Sequence, residues 1–240
     1  MKKYQNKILF LVIVVMSFLC LSIVFFGSEK IEQTPIQKKL SEIDLKNINK
    51  LMIIVHPDDE TLWGGAQLIN HKYLVICITC GSNETRNNEF KKVMDEVNSP
   101  YISLSYPDKT NGKRDDWHDS YIYIQKDLKD IINYKNWGKI VTHNPEGEYG
   151  HEQHIMTSDI VTSLSNKEKL YYFNDYFYNY ENLSNDSHFL NEKTLKKKID
   201  LLKIYKSQTA IINNHYHTIK YKELTSYEDW ENNKKKYVCN

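Results

Sequence analysis

The stretch LMIIVHPDDETLWGG, residues 51–65, changes character abruptly at its sixth position. A run of apolar strand formers gives way to one histidine and three acids, and then to residues that can open a helix. A helix cap would need only one acid, Asp58 or Asp59, and would leave His56 unexplained. In open α/β sheets, ligands bind beyond the carboxyl ends of the strands, so these side chains stand where a site is expected.

The rest of the chain alternates between short apolar runs and amphipathic stretches. Strand patterns occur in KLMIIV, YLVICIT, YISLSY, KIVTHN and KLYYFNDYF, and helical patterns occur in RNNEFKKVMDEV, SYIYIQKDLKDIINY and residues 193–208. This alternation predicts an α/β, Rossmann-like fold with a mostly parallel sheet and helices on both faces. No Gly-x-Gly-x-x-Gly turn follows a strand, which argues against a nucleotide-binding domain.

The N-terminus has a different composition. Residues 8–26 carry no charge over nineteen positions, enough for a helix to cross a hydrocarbon core of roughly 30 Å, and three lysines precede them. We expect residues 1–27 to form a membrane anchor or signal sequence, residues 28–46 a polar tether, and residues 47–240 the folded domain. No small-x-small cleavage site is evident, which favours an uncleaved anchor. Because a short basic N-terminus usually stays in the cytoplasm, we expect a membrane-anchored, extracellular domain.

The overall charge indicates no polyanionic partner. The chain has 32 basic and 31 acidic residues, for a formal net charge of +1. No net field therefore favours nucleic acid. The sequence gives no indication of the oligomeric state.

A second polar cluster, THNPEGEYGHEQH at residues 142–154, follows the fourth predicted strand in the same way. His151 and His154 are three positions apart at the start of a predicted helix, so their side chains share a face. Imidazole and carboxylate are both good zinc ligands, and a catalytic zinc site typically has three protein ligands and an open position for water. The two clusters together predict a metal site.

HPDDE after a strand, with YGHEQH about ninety residues later, resembles the LmbE/PIG-L family of zinc-dependent de-N-acetylases, which act on molecules containing N-acetylglucosamine. The resemblance covers residues from about 49 to 208, and ITCGSNETRNNEF and KIYKSQ also resemble family segments. It implies a Zn²⁺ cofactor, with other divalent transition metals such as Fe²⁺ as alternatives. The metal ligands that it implies are His56, Asp59 and His154.

The resemblance also implies the remaining catalytic roles. Asp58 becomes the general base, which takes a proton from water whose pKa the metal has lowered. His151, if protonated, would stabilise the oxyanion or assist the leaving amine, and Tyr149 would supply a hydroxyl to the oxyanion. Where the family frequently has Pro-Asp, this chain has Glu152 and Gln153. That departure removes an acid that would orient a neighbouring histidine, unless Glu152 takes its place.

Three further residues are candidates for substrate binding. Arg86 would reach substrate hydroxyls or phosphate, although an ion pair with Glu89 on the same helix is the alternative. Asp116 and Trp117, in a loop that we otherwise expect only to start a helix, are candidates for gripping sugar rings.

The function that follows is hydrolysis of the N-acetyl group of N-acetylglucosamine-containing glycans or glycolipids, releasing acetate and a free amine. The expected partners are an N-acetylated sugar substrate and a membrane. The alternative is a membrane-tethered carbohydrate-binding protein that has kept the deacetylase fold and lost turnover.

Overall fold

The computed structural model describes residues 33–174 and 189–238, with side chains as far as residue 233. The predicted anchor at residues 1–27 lies outside these ranges. Within them, none of the helices combines the length and the apolar composition that crossing a bilayer requires.

A parallel sheet forms the centre of the fold. The strands are β1 (Lys50–Ile54), β2 (Leu74–Thr79), β3 (Tyr101–Tyr106), β4 (Lys109–Thr110), β5 (Lys113–Arg114), β6 (Lys139–Thr142), β7 (Leu170–Phe173) and β8 (Leu224–Ser226). Six of them form one sheet of order β3-β2-β1-β6-β7-β8, in which the β7–β8 pair is antiparallel and the other pairs are parallel. This confirms the mostly parallel sheet predicted from the sequence.

Helices cover both faces of this sheet. They are α1 (Pro35–Ser41), α2 (Asp59–Leu62), α3 (Gly65–Asn70), α4 (Glu84–Val97), α5 (Tyr121–Asn133), α6 (Gly147–Gly150), α7 (Glu152–Leu164), α8 (Glu192–Leu202), α9 (Thr209–His215) and α10 (Tyr227–Val238). Successive β1 side chains enter two separate apolar clusters, one containing Leu51 and Ile53 and the other Met52 and Ile54. A strand buried on both faces needs a continuous apolar run, which is why LMII precedes the polar cluster.

The folded unit extends further toward the N-terminus than the boundary predicted at residue 47. It begins at Ile36. Ile36, Leu40 and Leu45 are buried in the same apolar cluster as β1. The second half of the predicted tether, residues 28–46, therefore packs as part of the domain, because its apolar side chains are spaced to reach the core.

A short hairpin, β4–β5, lies outside the main sheet and was not predicted. Its turn residues Asn111 and Gly112 have φ angles of 54° and 77°. Positive φ at both central residues is the signature of a type I′ turn, for which Asn-Gly is the preferred sequence. The helix predicted over residues 193–208 also differs, because α8 ends at Leu202.

Candidate metal centre and active site

Three side chains at the carboxyl ends of β1 and β6 converge on one point. His56 Nδ1 lies 3.3 Å from His154 Nε2 and 3.4 Å from Asp59 Oδ2, and His154 Nε2 lies 3.3 Å from Asp59 Oδ2. A tetrahedral zinc ion with bonds of roughly 2.0–2.1 Å separates its ligand atoms by about 3.3–3.4 Å. This ligand triangle therefore fits a divalent transition metal, and its nitrogen and oxygen donors suit zinc or iron.

Asp59 is held as an anion in this triangle although it is buried. Burial alone would raise its pKa, but when His154 is protonated, its charge and the hydrogen bonds from His154 and His56 hold that pKa well below the usual range. The backbone N–H of His56 also donates to Asp59 Oδ2 at 2.8 Å. One carboxylate thus closes the turn after β1 and supplies the negative charge that a bound cation requires.

Glu148 fixes the orientation of His154. Its Oε2 accepts hydrogen bonds from Nδ1 of His154 at 2.6 Å and from Nδ1 of His143 at 3.0 Å. With its proton on Nδ1, His154 presents the Nε2 lone pair to the triangle. His143 Nε2 accepts the N–H of Val55 at 3.1 Å, so both of its nitrogens are used and it is a supporting residue. Glu152, which the sequence left open as an alternative orienting acid, is exposed.

Gln153 performs the corresponding task for His56. The Gln153 amide nitrogen lies 3.3, 3.2 and 2.9 Å from the carbonyl oxygens of Pro107, Asp108 and Asp115. Three acceptors fix the nitrogen on that side, so Oε1 faces His56 Nε2, 3.1 Å away. The Nε2–H must therefore donate to Oε1, which leaves the Nδ1 lone pair for a metal. A neutral amide here orients the histidine without the acid that the family pattern suggested.

Replacing Gln153 with glutamate tests this arrangement. The substitution places a carboxylate oxygen against three carbonyl oxygens, so the side chain must turn away and His56 loses its fixed orientation. We expect affinity for Zn²⁺ to fall about 10–100-fold, measured by competition with a chromophoric chelator. Glu152→Gln on the adjacent exposed position is the matched control. Unchanged affinity in Gln153→Glu would show that His56 is oriented by other contacts.

Asp58 lies next to the triangle in a strained turn. Its φ of 122° is unusual for any residue other than glycine, and such strain persists where surrounding contacts enforce it. The Asp58 N–H donates to Glu60 Oε2 at 3.1 Å, while Glu60 Oε1 accepts the hydroxyl groups of Tyr205, at 2.6 Å, and of Thr61. The Asp58 side chain makes no capping hydrogen bond, so the helix-cap interpretation does not account for it.

The Asp58 carboxyl lines a cavity of about 170 Å³ together with His56 and Asp59. Burial and the neighbouring Asp59 carboxylate raise the pKa of Asp58 well above its ordinary value, and Arg86 opposes the shift. A carboxylate with a raised pKa is a stronger proton acceptor. A carboxylate in this position can accept a proton from a water molecule in the cavity.

Tyr149 and His151 line the same cavity. Burial raises the pKa of Tyr149, so its hydroxyl keeps its proton at neutral pH. Burial lowers the pKa of His151 to about 2, which favours the uncharged imidazole over the protonated form that stabilising the oxyanion or assisting the leaving amine would need. His151 Nδ1 is buried and has no hydrogen-bond partner in the described ranges. Its ring stacks on His154 at 4.2 Å, which leaves a polar atom beside the triangle for a further contact.

Arg86 also lines the cavity, but another residue takes up much of its hydrogen-bonding capacity. Its Nη1 donates to Asp108 Oδ2 at 3.0 Å. Asp108, which the sequence did not single out, also has its Oδ1 3.3 Å from His56 Nε2. The alternative pairing of Arg86 with Glu89 is wrong, because the Glu89 carboxylate accepts hydrogen bonds from the backbone and hydroxyl of Ser207.

Asp116 and Trp117 do not line the cavity that contains Asp58. Trp117 is fully buried, and its indole N–H donates to the Pro107 carbonyl at 2.7 Å. Asp116 is exposed and lines a separate cavity with Trp117 and His118. A sugar ring in the metal-side cavity would not meet the Trp117 face, because that face packs in the core.

Comparisons with known proteins relate this chain to a family and to a fold. Residues 51–165 match the model of the PIG-L family, described as GlcNAc-PI de-N-acetylase. The chain is 32% identical over 190 residues to uncharacterized protein L374 of Acanthamoeba polyphaga mimivirus, an alignment that covers 72% of this chain and 77% of that protein.

Two solved structures share the fold. One is a deacetylase–bog complex from the teicoplanin biosynthesis pathway, with a TM-score of 0.56, 16% identity, and coverage of 73% of this chain and 96% of the other. The second is the zinc-inhibited form of teicoplanin deacetylase Orf2, with a TM-score of 0.53, 15% identity and the same coverage. The shared fold and the match to the family model together identify this chain as a deacetylase-type hydrolase. The chain belongs to the PIG-L family.

Proposed function

We propose that this chain is a metal-dependent N-deacetylase that hydrolyses the N-acetyl group of N-acetylglucosamine-containing glycans or glycolipids, giving acetate and a free amine. The observation that carries the proposal is the ligand triangle of His56, Asp59 and His154, with Asp58 beside it in one cavity. The family description, GlcNAc-PI de-N-acetylase, supports an N-acetylglucosamine substrate. We propose Zn²⁺ as the cofactor, with Fe²⁺ as the alternative.

The residues of this chain divide the chemistry between them. A divalent cation in the triangle supplies Lewis acidity, lowering the pKa of water and polarising the acetyl carbonyl. Asp58 takes a proton from the attacking water as its oxygen bonds to the acetyl carbon. The Tyr149 hydroxyl donates a hydrogen bond to the carbonyl oxygen as negative charge develops there. Asp58 then returns the proton to the nitrogen as the carbon–nitrogen bond breaks.

Aromatic contacts in the cavity wall fix the side chain that we propose to bind the substrate carbonyl. The ring of Tyr149 packs against His215 at 4.5 Å and Trp63 at 6.2 Å. These ring contacts restrict rotation of the Tyr149 side chain. The position of its hydroxyl group is therefore fixed before a substrate binds. Trp63 in turn donates its indole N–H to Asp59 Oδ1 at 3.3 Å, which connects the wall to the ligand triangle.

The rival function is sugar binding without turnover. A binding protein needs neither a buried carboxyl with a raised pKa nor a strained backbone at that carboxyl, and Asp58 has both. Strain of this kind gathers at catalytic sites. We also propose that residues 1–27 anchor the chain in a membrane, on the basis of the uncharged run at residues 8–26, and that the three lysines before this run keep the N-terminus in the cytoplasm and the deacetylase domain on the outer side.

Acetate release tests the proposal. The full chain is loaded with Zn²⁺ or Fe²⁺, or stripped with a chelator, and assayed on a panel of N-acetylglucosamine saccharides and glycolipids. We expect acetate and a free amine in equal amounts from the loaded protein, loss of both on chelation, and recovery on adding metal. Sugar binding with metal present and no acetate from any compound would favour the binding protein.

A further inference from the structure

Two lysines stand side by side at the edge of the sheet opposite the ligand triangle. Lys50 begins β1 and Lys139 begins β6, and the two residues are matched in the register of this parallel pair. Matched residues on neighbouring strands, which lie about 4.8 Å apart, project from the same face of the sheet. His56 follows the other end of β1, so roughly 20 Å of extended chain separates the lysines from the ligand triangle.

Tyrosine rings hold both lysine side chains at this edge. The Nζ of Lys139 lies 3.8 Å from the centroid of the Tyr171 ring, and the Nζ of Lys50 lies 5.7 Å from the centroid of the Tyr73 ring. The face of an aromatic ring attracts a cation through the ring quadrupole. Both ammonium groups are therefore kept close to the start of their strands.

Within the described residues, no acid is paired with this basic cluster, which we define as Lys50, Lys139 and His71. None of the three side chains is within ion-pair distance of a carboxylate in those ranges. Burial lowers the pKa of Lys50, and burial together with Lys50 lowers the pKa of Lys139. Partial burial and both lysines lower the pKa of His71. The three groups are thus close enough for their charges to repel one another.

One buried acid acts on this region, but its charge is already paired. Burial and then Glu223 raise the pKa of Tyr73, the tyrosine beneath Lys50. The Glu223 Oε1 lies 2.6 Å from the Nζ of Lys198, and the two Glu223 oxygens accept the N–H groups of Ala66 and Gln67. Because Lys198 and two backbone donors engage this carboxylate, it does not neutralise the basic cluster.

We propose that Lys50, Lys139 and His71 form a binding site for a phosphate monoester, at the edge of the sheet away from the metal. A phosphate monoester carries a charge of roughly −1.5 to −2 at pH 7, which two ammonium groups and an imidazole that gains a proton can match. Lysine binds phosphate as a point charge. A phosphate between the three groups removes their mutual repulsion. The site is separate from deacetylation and does not depend on it.

Lysine footprinting of the metal-loaded full chain in neutral detergent tests this site. Acylation of each amine by a water-soluble ester is followed by mass spectrometry, in inorganic phosphate and in sodium chloride of equal ionic strength. A bound anion raises the pKa of a neighbouring lysine by about one unit or more, so we expect acylation of Lys50 and Lys139 to be about tenfold slower in phosphate. Exposed Lys129 on α5 should react at the same rate in both salts.

Coupling between the two lysines tests whether they share one anion. In Lys139→Met, we expect phosphate to lose most of its effect on the acylation of Lys50, because half of the lysine charge is gone. Lys139→Arg keeps the charge and should restore the protection of Lys50. Lys129→Met is the control for loss of a distant positive charge. A zinc content equal to that of the parent chain shows that each variant is folded.

Nanodiscs distinguish the two sources of a phosphate monoester. Protection of both lysines in nanodiscs that contain phosphatidic acid, but not by inorganic phosphate or in phosphatidylcholine alone, assigns the site to a lipid headgroup. Protection by inorganic phosphate in detergent assigns it to a soluble phosphate compound. Equal protection in chloride, protection of Lys50 that persists in Lys139→Met, or no protection by either probe overturns the inference.

Discussion

Asp58→Asn is expected to lower kcat for acetate release by roughly 10²–10⁴-fold, the usual contribution of a positioned general base. Asparagine matches aspartate in shape but cannot accept the proton of the attacking water. The Asp58 backbone N–H still reaches Glu60, so the strained turn is kept. Because Asp58 is outside the ligand triangle, we expect the variant to bind one metal ion with affinity near that of the parent chain.

The measurement pairs steady-state acetate release with metal analysis of the same preparation. Asp119→Asn, an exposed aspartate in the loop before α5, is the control for loss of one carboxylate and should retain parent activity. A loss of metal in Asp58→Asn would move this residue into the ligand set. Undiminished kcat with metal bound would transfer the role of base to another group and contradict the mechanism.

The place of the ligand triangle could be predicted from two general rules, whereas the choice of His56, Asp59 and His154 as its members came from the resemblance to the family. A strand buried on both faces gives a continuous apolar run, so the end of β1 is visible in the sequence immediately before His56. Parallel strands bring their carboxyl ends to one edge, so the cluster after β6 had to lie near it. The structure indeed brings His154 to within 3.3 Å of His56.

The residues that orient these ligands could not be predicted in the same way. Glu148 reaches His154 because its own backbone has a φ of 57°, which the sequence does not signal at a non-glycine residue. Gln153 was read as a departure from the family pattern, whereas three carbonyls from the segment around the hairpin give its amide a defined direction. Trp117 was a candidate for gripping a sugar ring, and only the packing of its indole shows that it belongs to the core.

Glu148→Gln is expected to cause the second large loss, a fall of about 10–100-fold in metal affinity together with a lower Tm. Glu148 receives N–H groups on both oxygens: His143 and His154 donate to Oε2, and the backbone of Asn144 donates to Oε1 at 3.0 Å. A carboxylate only accepts, so it satisfies all three donors. In glutamine, one of the two positions becomes a donor, and either orientation of the amide sets donor against donor in a fully buried site.

The orientation of the glutamine amide determines whether metal affinity or stability falls more in Glu148→Gln. An amide nitrogen toward the histidines removes the acceptor that keeps the His154 proton on Nδ1, so Nε2 no longer presents its lone pair to a metal. An amide nitrogen toward Asn144 leaves a buried backbone N–H unpaired, at a cost of about 1–3 kcal/mol. Chelator competition and thermal unfolding of metal-free protein separate the two effects, with exposed Glu152→Gln as the control. Parent-like metal affinity in Glu148→Gln would show that His154 is oriented by its packing against His143 and His151, and that the shared carboxylate is dispensable.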